Sequence, residues 1–167
     1  MRILGTLVAI FGFLAGGSCF SAVPLAFPEH NFAIEIPNDW TPVTPRPPQT
    51  LAFVQNPAAS KKLLITANRI PESETPSAGI NFRAGLKDSL VTQGWKFDAD
   101  QSVESGGLSF VCLSAHRPSN KHSIIAYTIV VDDEAYALMF ILDGDQRTSD
   151  SELRSILRTF HLLANKV

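Results

Sequence analysis

The chain has 167 residues and a formal net charge of −2, with 14 Lys and Arg against 16 Asp and Glu. Without a basic surplus it lacks the electrostatic footprint that neutralises phosphates, so nucleic acid is excluded as the expected partner. The length suits one ordinary domain with a real core, and two cysteines, Cys19 and Cys112, are too few for a disulfide scaffold.

The first residues read as an export signal. Met1 and Arg2 give a short positive start, Ile3 to Leu14 is apolar and uncharged, and Ala15, Gly16, Gly17, Ser18, Cys19, Ser21 and Ala22 supply small side chains. Charged, apolar and small-residue zones in that order make a secretory signal peptide, and the apolar stretch is short of the roughly 20 residues of a spanning helix. Cleavage is expected between Ser18 and Ala22. A cut after Ser21 makes residues 1–21 the signal and residues 22–167 the mature domain, a periplasmic or secreted protein. Two alternatives touch the membrane: an uncleaved anchor, and a lipoprotein lipidated on Cys19, although Gly16 stands where such signals usually carry Leu. After a cut at Ser21, Cys112 is the one remaining cysteine, set in the apolar run Leu108 to Ala115 and therefore expected to be buried and inert.

Further along, Phe32-Ala33-Ile34-Glu35-Ile36 alternates as a strand does. Pro37-Asn38-Asp39 turns the chain into Trp40, a large aromatic expected to be buried, and Thr41 to Pro48 is a proline-stiffened loop. Leu51–Gln55 and Leu63–Ile70 read as strands around an Asn56-Pro57 turn. A helix is predicted from about Pro76 to Gln93, capped by Thr75. Phe82, Leu86 and Leu90 form its buried stripe, with Ile80 and Val91 beside them. Gly94 ends it, with Trp95 folding back on Leu90. Trp95–Ala99 is extended, with a short continuation to Val103, and Glu104–Gly107 is a turn. Leu108–Arg117, Ile124–Val131 and Ala135–Leu142 are three successive strands with short connections, hence antiparallel neighbours. They are apolar on both faces and need cover on both. A last helix starts at a capping box of Ser149 and Glu152 and buries Leu153, Ile156, Leu157 and Phe160, with Arg154, Arg158 and Lys166 toward its positive-favouring end. The total is an α+β domain, with an antiparallel sheet of about six or seven strands between helices.

The run Phe32-Ala33-Ile34-Glu35-Ile36-Pro37-Asn38-Asp39-Trp40 resembles the opening strand, proline turn and tryptophan of PsbP-like domains, the superfamily of PsbP and the DcrB-like envelope domains. Tyr136-Ala137-Leu138-Met139-Phe140, a polar loop and the closing helix over Leu153 to Phe160 resemble its ending. The resemblance follows the order of elements across the mature chain. It implies an α/β/α sandwich that serves as a binding or assembly module rather than an enzyme, and it transfers no site residue.

No sequence pattern marks an enzyme. Gly-x-Ser-x-Gly, His-Glu-x-x-His, Cys-x-x-Cys and phosphate-binding glycine loops are all missing from the sequence, and no motif calls for a cofactor. His30 is expected in solvent and His161 at the end of the last helix, where an imidazole favours the dipole. One cluster stands out. In an antiparallel meander His116 and Arg117, Lys121 and His122, and Asp143 and Asp145 gather at one end of the sheet. His116, His122, Asp143 and Asp145 are candidate ligands for zinc or copper, or the polar groups of a hydrolase. The plainer expectation is a solvated rim whose ion pairs contribute little. The sequence therefore points to an exported non-catalytic module for an unidentified envelope protein or small ligand.

Overall fold

The computed structural model describes residues 21–71, 77–144 and 151–163. In chain order these form β1 (Ala22–Phe27), a 3-10 turn (Pro28–His30), β2 (Phe32–Pro37), β3 (Thr41–Pro42), β4 (Ala52–Asn56), β5 (Lys61–Arg69), α1 (Ala78–Thr92), β6 (Lys96–Ser105), β7 (Leu108–Arg117), β8 (His122–Val131), β9 (Glu134–Asp143), α2 (Ser151–Thr159) and β10 (His161–Leu162). Among the described residues the strands make a seven-stranded sheet, ordered β3-β4-β5-β9-β8-β7-β6, and a three-stranded one, ordered β1-β2-β10. All pairings are antiparallel.

The strands that read as apolar on both faces are indeed the covered ones. Alternate side chains of a strand point to opposite faces. Phe110, Cys112, Ile125, Tyr127, Leu138, Phe140, Leu63 and Ile65 bury one face of the large sheet against α2 and β2, through Leu153, Ile156, Leu157, Phe160, Phe32, Ile34 and Trp40. Leu113, Ala115, Ile124 and Ala126 bury the other face against Leu90 and Trp95 at the end of α1. Cover on the first face is therefore a helix joined to a small sheet. The Phe32–Ile36 strand belongs to that small sheet, between β1 and β10, two strands that the sequence reading left out.

α1 is anchored by Ala78 and Leu90, with Phe82 and Leu86 half-buried between them. Ile80 and Val91 are 65% and 56% exposed, so they lie outside the stripe expected to include them. The cause is angular: residues spaced by four share a face at 100° per residue, and two positions on from Ala78 is nearly the opposite side. Ser77 precedes the helix, whereas Thr75 and Pro76 lie outside the described residues. The C-terminus matches expectation. Gly94, at φ +84, lets Trp95 N–H reach the Leu90 carbonyl at 3.1 Å while its own N–H reaches Val91 at 2.9 Å, the two bonds of a Schellman ending. Arg117 covers this end, its guanidinium 4.6 Å from the Trp95 ring and bonded to the Gln93 carbonyl at 2.8 Å.

Trp95–Ala99 and its expected continuation are one ten-residue strand, β6, with an irregularity between Phe97 and Ala99. As an edge strand it carries that bulge and Asp98, Asp100 and Glu104; the opposite edge, β3, is two residues long and contains Pro42. Charge, bulge and proline all discourage further strand pairing.

Trp40 is 6% exposed, as expected of an anchor. Leu153, Ile156, Leu157 and Phe160 all dock, each 1% exposed. Ser149 and Lys166 lie outside the described residues, and Glu152 has partners across the fold. Its carboxylate accepts Trp40 Nε1 at 2.9 Å and Lys61 Nζ at 2.6 Å.

His30 departs from its expected exposure. It is half-buried in the 3-10 turn, Nδ1 3.1 Å from Glu134 Oε2, while Tyr136 Oη donates to its carbonyl at 2.8 Å. Burial, followed by the carboxylates of Glu134, Asp132 and Asp133, pushes the Tyr136 phenol from 10.0 up to about 12. The unfolded chain loses this proton first, so the stabilisation is complete below about pH 10 and disappears as pH climbs toward 12. Urea unfolding at rising alkaline pH should show that loss in the wild type and less of it in Tyr136→Phe; identical pH slopes would contradict it.

Candidate functional site

A cleft of about 220 Å³ opens where β4 turns into β5, β8 begins and β9 ends. Gln55, Asn56, Pro57, Ser60, Lys61 and Lys62 come from the β4–β5 hairpin, His122 from β8, and Ile141 and Asp143 from β9. The hairpin tip is set locally: Asn56 Oδ1 accepts the Ala59 N–H at 3.2 Å, and Ser60 adopts a positive φ of 52. Asp143 N–H then reaches the Ser60 carbonyl at 3.4 Å, carrying the β5–β9 ladder one step into the tip.

Behind the cleft is a fixed polar network. Asn56 is 4% exposed, and its amide donates to Asp39 Oδ2 at 2.7 Å and toward Glu152 Oε1 at 3.5 Å. Lys61 pairs with Glu152, the two side chains 11% and 25% exposed. Asp39 and Trp40, from the turn after β2, and Glu152, from α2, thus hold one wall in place. The open side differs. His122 and Asp143 are register partners on β8 and β9, with Nδ1 and Oδ1 2.7 Å apart. Gln55, Lys62 and Ile141 form one cross-strand row on the α1 face. Lys62 is exposed and makes no ion pair among the described residues. The cleft therefore offers an ammonium, a primary amide and an imidazole whose Nδ1 lies beside the Asp143 carboxylate, with the Ile141 side chain in its lining.

The residues expected to share a metal are divided. His122 meets Asp143, but His116 pairs with Ser123 and Arg117 with His122 across β7 and β8. Adjacent positions on a strand face opposite ways, so the two histidines point to opposite sides of the sheet. His116 Nδ1 is instead 2.7 Å from Asp98 Oδ1 at the β6 bulge. Asp145 lies outside the described residues, and among the described residues no group of three or more His, Cys, Asp or Glu is placed to hold a metal ion. Lys121, at φ 54, sits exposed at the β7–β8 tip.

Each of the four histidines faces a carboxylate or a carbonyl: His30 with Glu134, His116 with Asp98, His122 with Asp143 and His161 with the Thr159 carbonyl. Activation of a serine or cysteine requires a base within hydrogen-bond reach of it. Cys112 is 1% exposed, and burial pushes its thiol up, which keeps it protonated. Among the described residues no helix is long and apolar enough to cross a membrane.

Sequence reasoning found the His122–Asp143 corner and missed Gln55, Asn56, Lys61, Lys62 and Ile141. Those residues join it only because β5 lies beside β9, a neighbour 65 or more residues away in the chain.

No protein-family model matches the chain, and no curated protein does. Among solved structures it is similar to the solution structure of cyanobacterial PsbP (CyanoP) from Synechocystis sp. PCC 6803, with a TM-score of 0.63 and 15% identity over 91% of this chain and 98% of that one. It is also similar to a crystal structure from Bacteroides thetaiotaomicron VPI-5482, with a TM-score of 0.59 and 16% identity over 85% of this chain, and spans 48% of that one. At such identities the likeness speaks for the architecture alone, and it agrees with the order of elements described above: the chain has the PsbP-like α+β fold.

Proposed function

We propose that this protein is an exported, non-catalytic binding module, periplasmic or secreted, whose recognition site is the cleft between the β4–β5 hairpin and the β8–β9 corner. The observation that carries the reading is the cleft itself. It gathers convergent polar groups beside Ile141 and Pro57, and a few convergent polar groups in a concave site are what fixes the orientation of a small ligand. The signal-like first residues, from Met1 to Ala22, support export.

The test combines processing with ligand response. N-terminal sequencing of the exported protein should give a start near Ala22; a lipidated Cys19 start or an intact chain in the membrane would refute the export reading. Small molecules that raise the melting temperature of wild type should fail to do so for Ile141→Trp, which fills the cleft floor. Ligands that stabilise both proteins equally, or His122-dependent hydrolysis of an ester or phosphate substrate, would overturn the binding reading.

A further inference from the structure

We infer that the cleft takes a small organic carboxylate, its anionic end held by Lys62 with Gln55 and His122 and its aliphatic part lying on Ile141. The inference rests on the cleft being the recognition site and adds the class of ligand. The charges decide it. Of the two lysines lining the cleft, Lys61 is committed to Glu152 at 2.6 Å, whereas Lys62 makes no ion pair among the described residues. Asn56 is likewise committed, its amide donating to Asp39 at 2.7 Å and its oxygen accepting Ala59 N–H at 3.2 Å.

What the cleft has to offer is mainly donors: the Lys62 ammonium, the Gln55 amide and the second nitrogen of an imidazole whose first faces Asp143. Gln55 pairs with Lys62 and Lys62 with Ile141 in the sheet register. Cross-strand partners have Cβ atoms about 4.5–5.5 Å apart on one face, so one ligand can touch all three. Among the described residues Asp143 is the only carboxylate in the lining, and it lies 2.7 Å from His122. A hydrogen-bonded, charge-assisted contact to a carboxylate is the strongest use of such donors. The half-buried Ile141 side chain favours an aliphatic stem over a bare inorganic ion.

The test is a titration of ¹⁵N-labelled mature protein with sodium butyrate, with butyramide as the uncharged isostere and inorganic phosphate as the stemless anion. Butyrate should give saturable amide shifts centred on Gln55, Lys62, His122 and Ile141. Lys62→Met, which keeps the aliphatic stem and removes the charge, should weaken binding about tenfold. Lys96→Met, outside the cleft, should leave it unchanged and so controls for overall charge. Butyramide binding as tightly as butyrate, unaffected by Lys62→Met, would overturn the carboxylate assignment while leaving the cleft as a binding site. Phosphate binding more tightly than butyrate would also overturn it. Saturable shifts from none of the three would overturn this assignment, and the screen with Ile141→Trp then decides separately whether the cleft binds anything.

Discussion

Trp40→Ala is expected to lower stability by about 3–5 kcal/mol, the range for deleting a large buried aromatic. The indole is 6% exposed in the core shared by the two sheets and α2. Its Nε1 donates at 2.9 Å to the Glu152 carboxylate that also holds Lys61 at 2.6 Å. Truncation leaves a cavity and removes one of the donors that make this partly buried carboxylate tolerable. Trp40→Phe separates the two effects. It keeps most of the apolar volume and drops the bond to a charged acceptor, so it should cost about 1.5–3 kcal/mol. Urea unfolding of both variants measures this. Unchanged midpoints would mean that the indole anchors nothing, and the account of Glu152 as the tie between α2 and the β4–β5 hairpin would fail with it.

Phe160→Ala should be of similar size, about 3–5 kcal/mol, for a different reason. Phe160 is 1% exposed and touches three other rings: Phe32 at 5.3 Å, Tyr136 at 5.6 Å and Phe110 at 5.6 Å between centroids. These rings come from β2, β9 and β7, so one side chain after α2 joins the small sheet to the large one. Phe160→Leu retains apolar volume and should be milder, about 1–2 kcal/mol. If alanine costs no more than leucine, the ring cluster is not what joins the two layers.

The parts of this fold that were legible in the sequence are those whose cause is local. Gly94 and Trp95 announce the end of α1 because a left-handed residue and an apolar residue after it are what the Schellman bonds require. Leu153, Ile156, Leu157 and Phe160 announce a docked face by their spacing. The hairpins follow from short polar connections between strands. By contrast, β10 is two residues long and exists only through pairing with β2, and β1 contains Pro24, so no local pattern marks either. Glu152 fits a capping box by spacing, but its bonds to Trp40 and Lys61 depend on packing across the fold.

The candidate site divides in the same way. The meander brings His122 to Asp143, and that much followed from strand order. The separation of His116 from His122 comes from parity: Arg117 rather than His116 is the partner of His122, and one residue of register reverses the face. The remaining cleft residues were hidden because β5 reaches β9 only after the chain has passed through α1, β6, β7 and β8, an order that periodicity does not encode.

The proposed cleft binds its ligand and leaves it chemically unchanged. Mass balance tests this most directly. The mature protein is incubated with a small-molecule extract of the cells that make it, and the free and protein-bound fractions are separated by filtration and compared by mass spectrometry. A component should leave the free fraction, be recovered from the protein with its mass unchanged, and not be retained by Ile141→Trp. Loss of a component with the appearance of a new mass, abolished by His122→Ala, would contradict it.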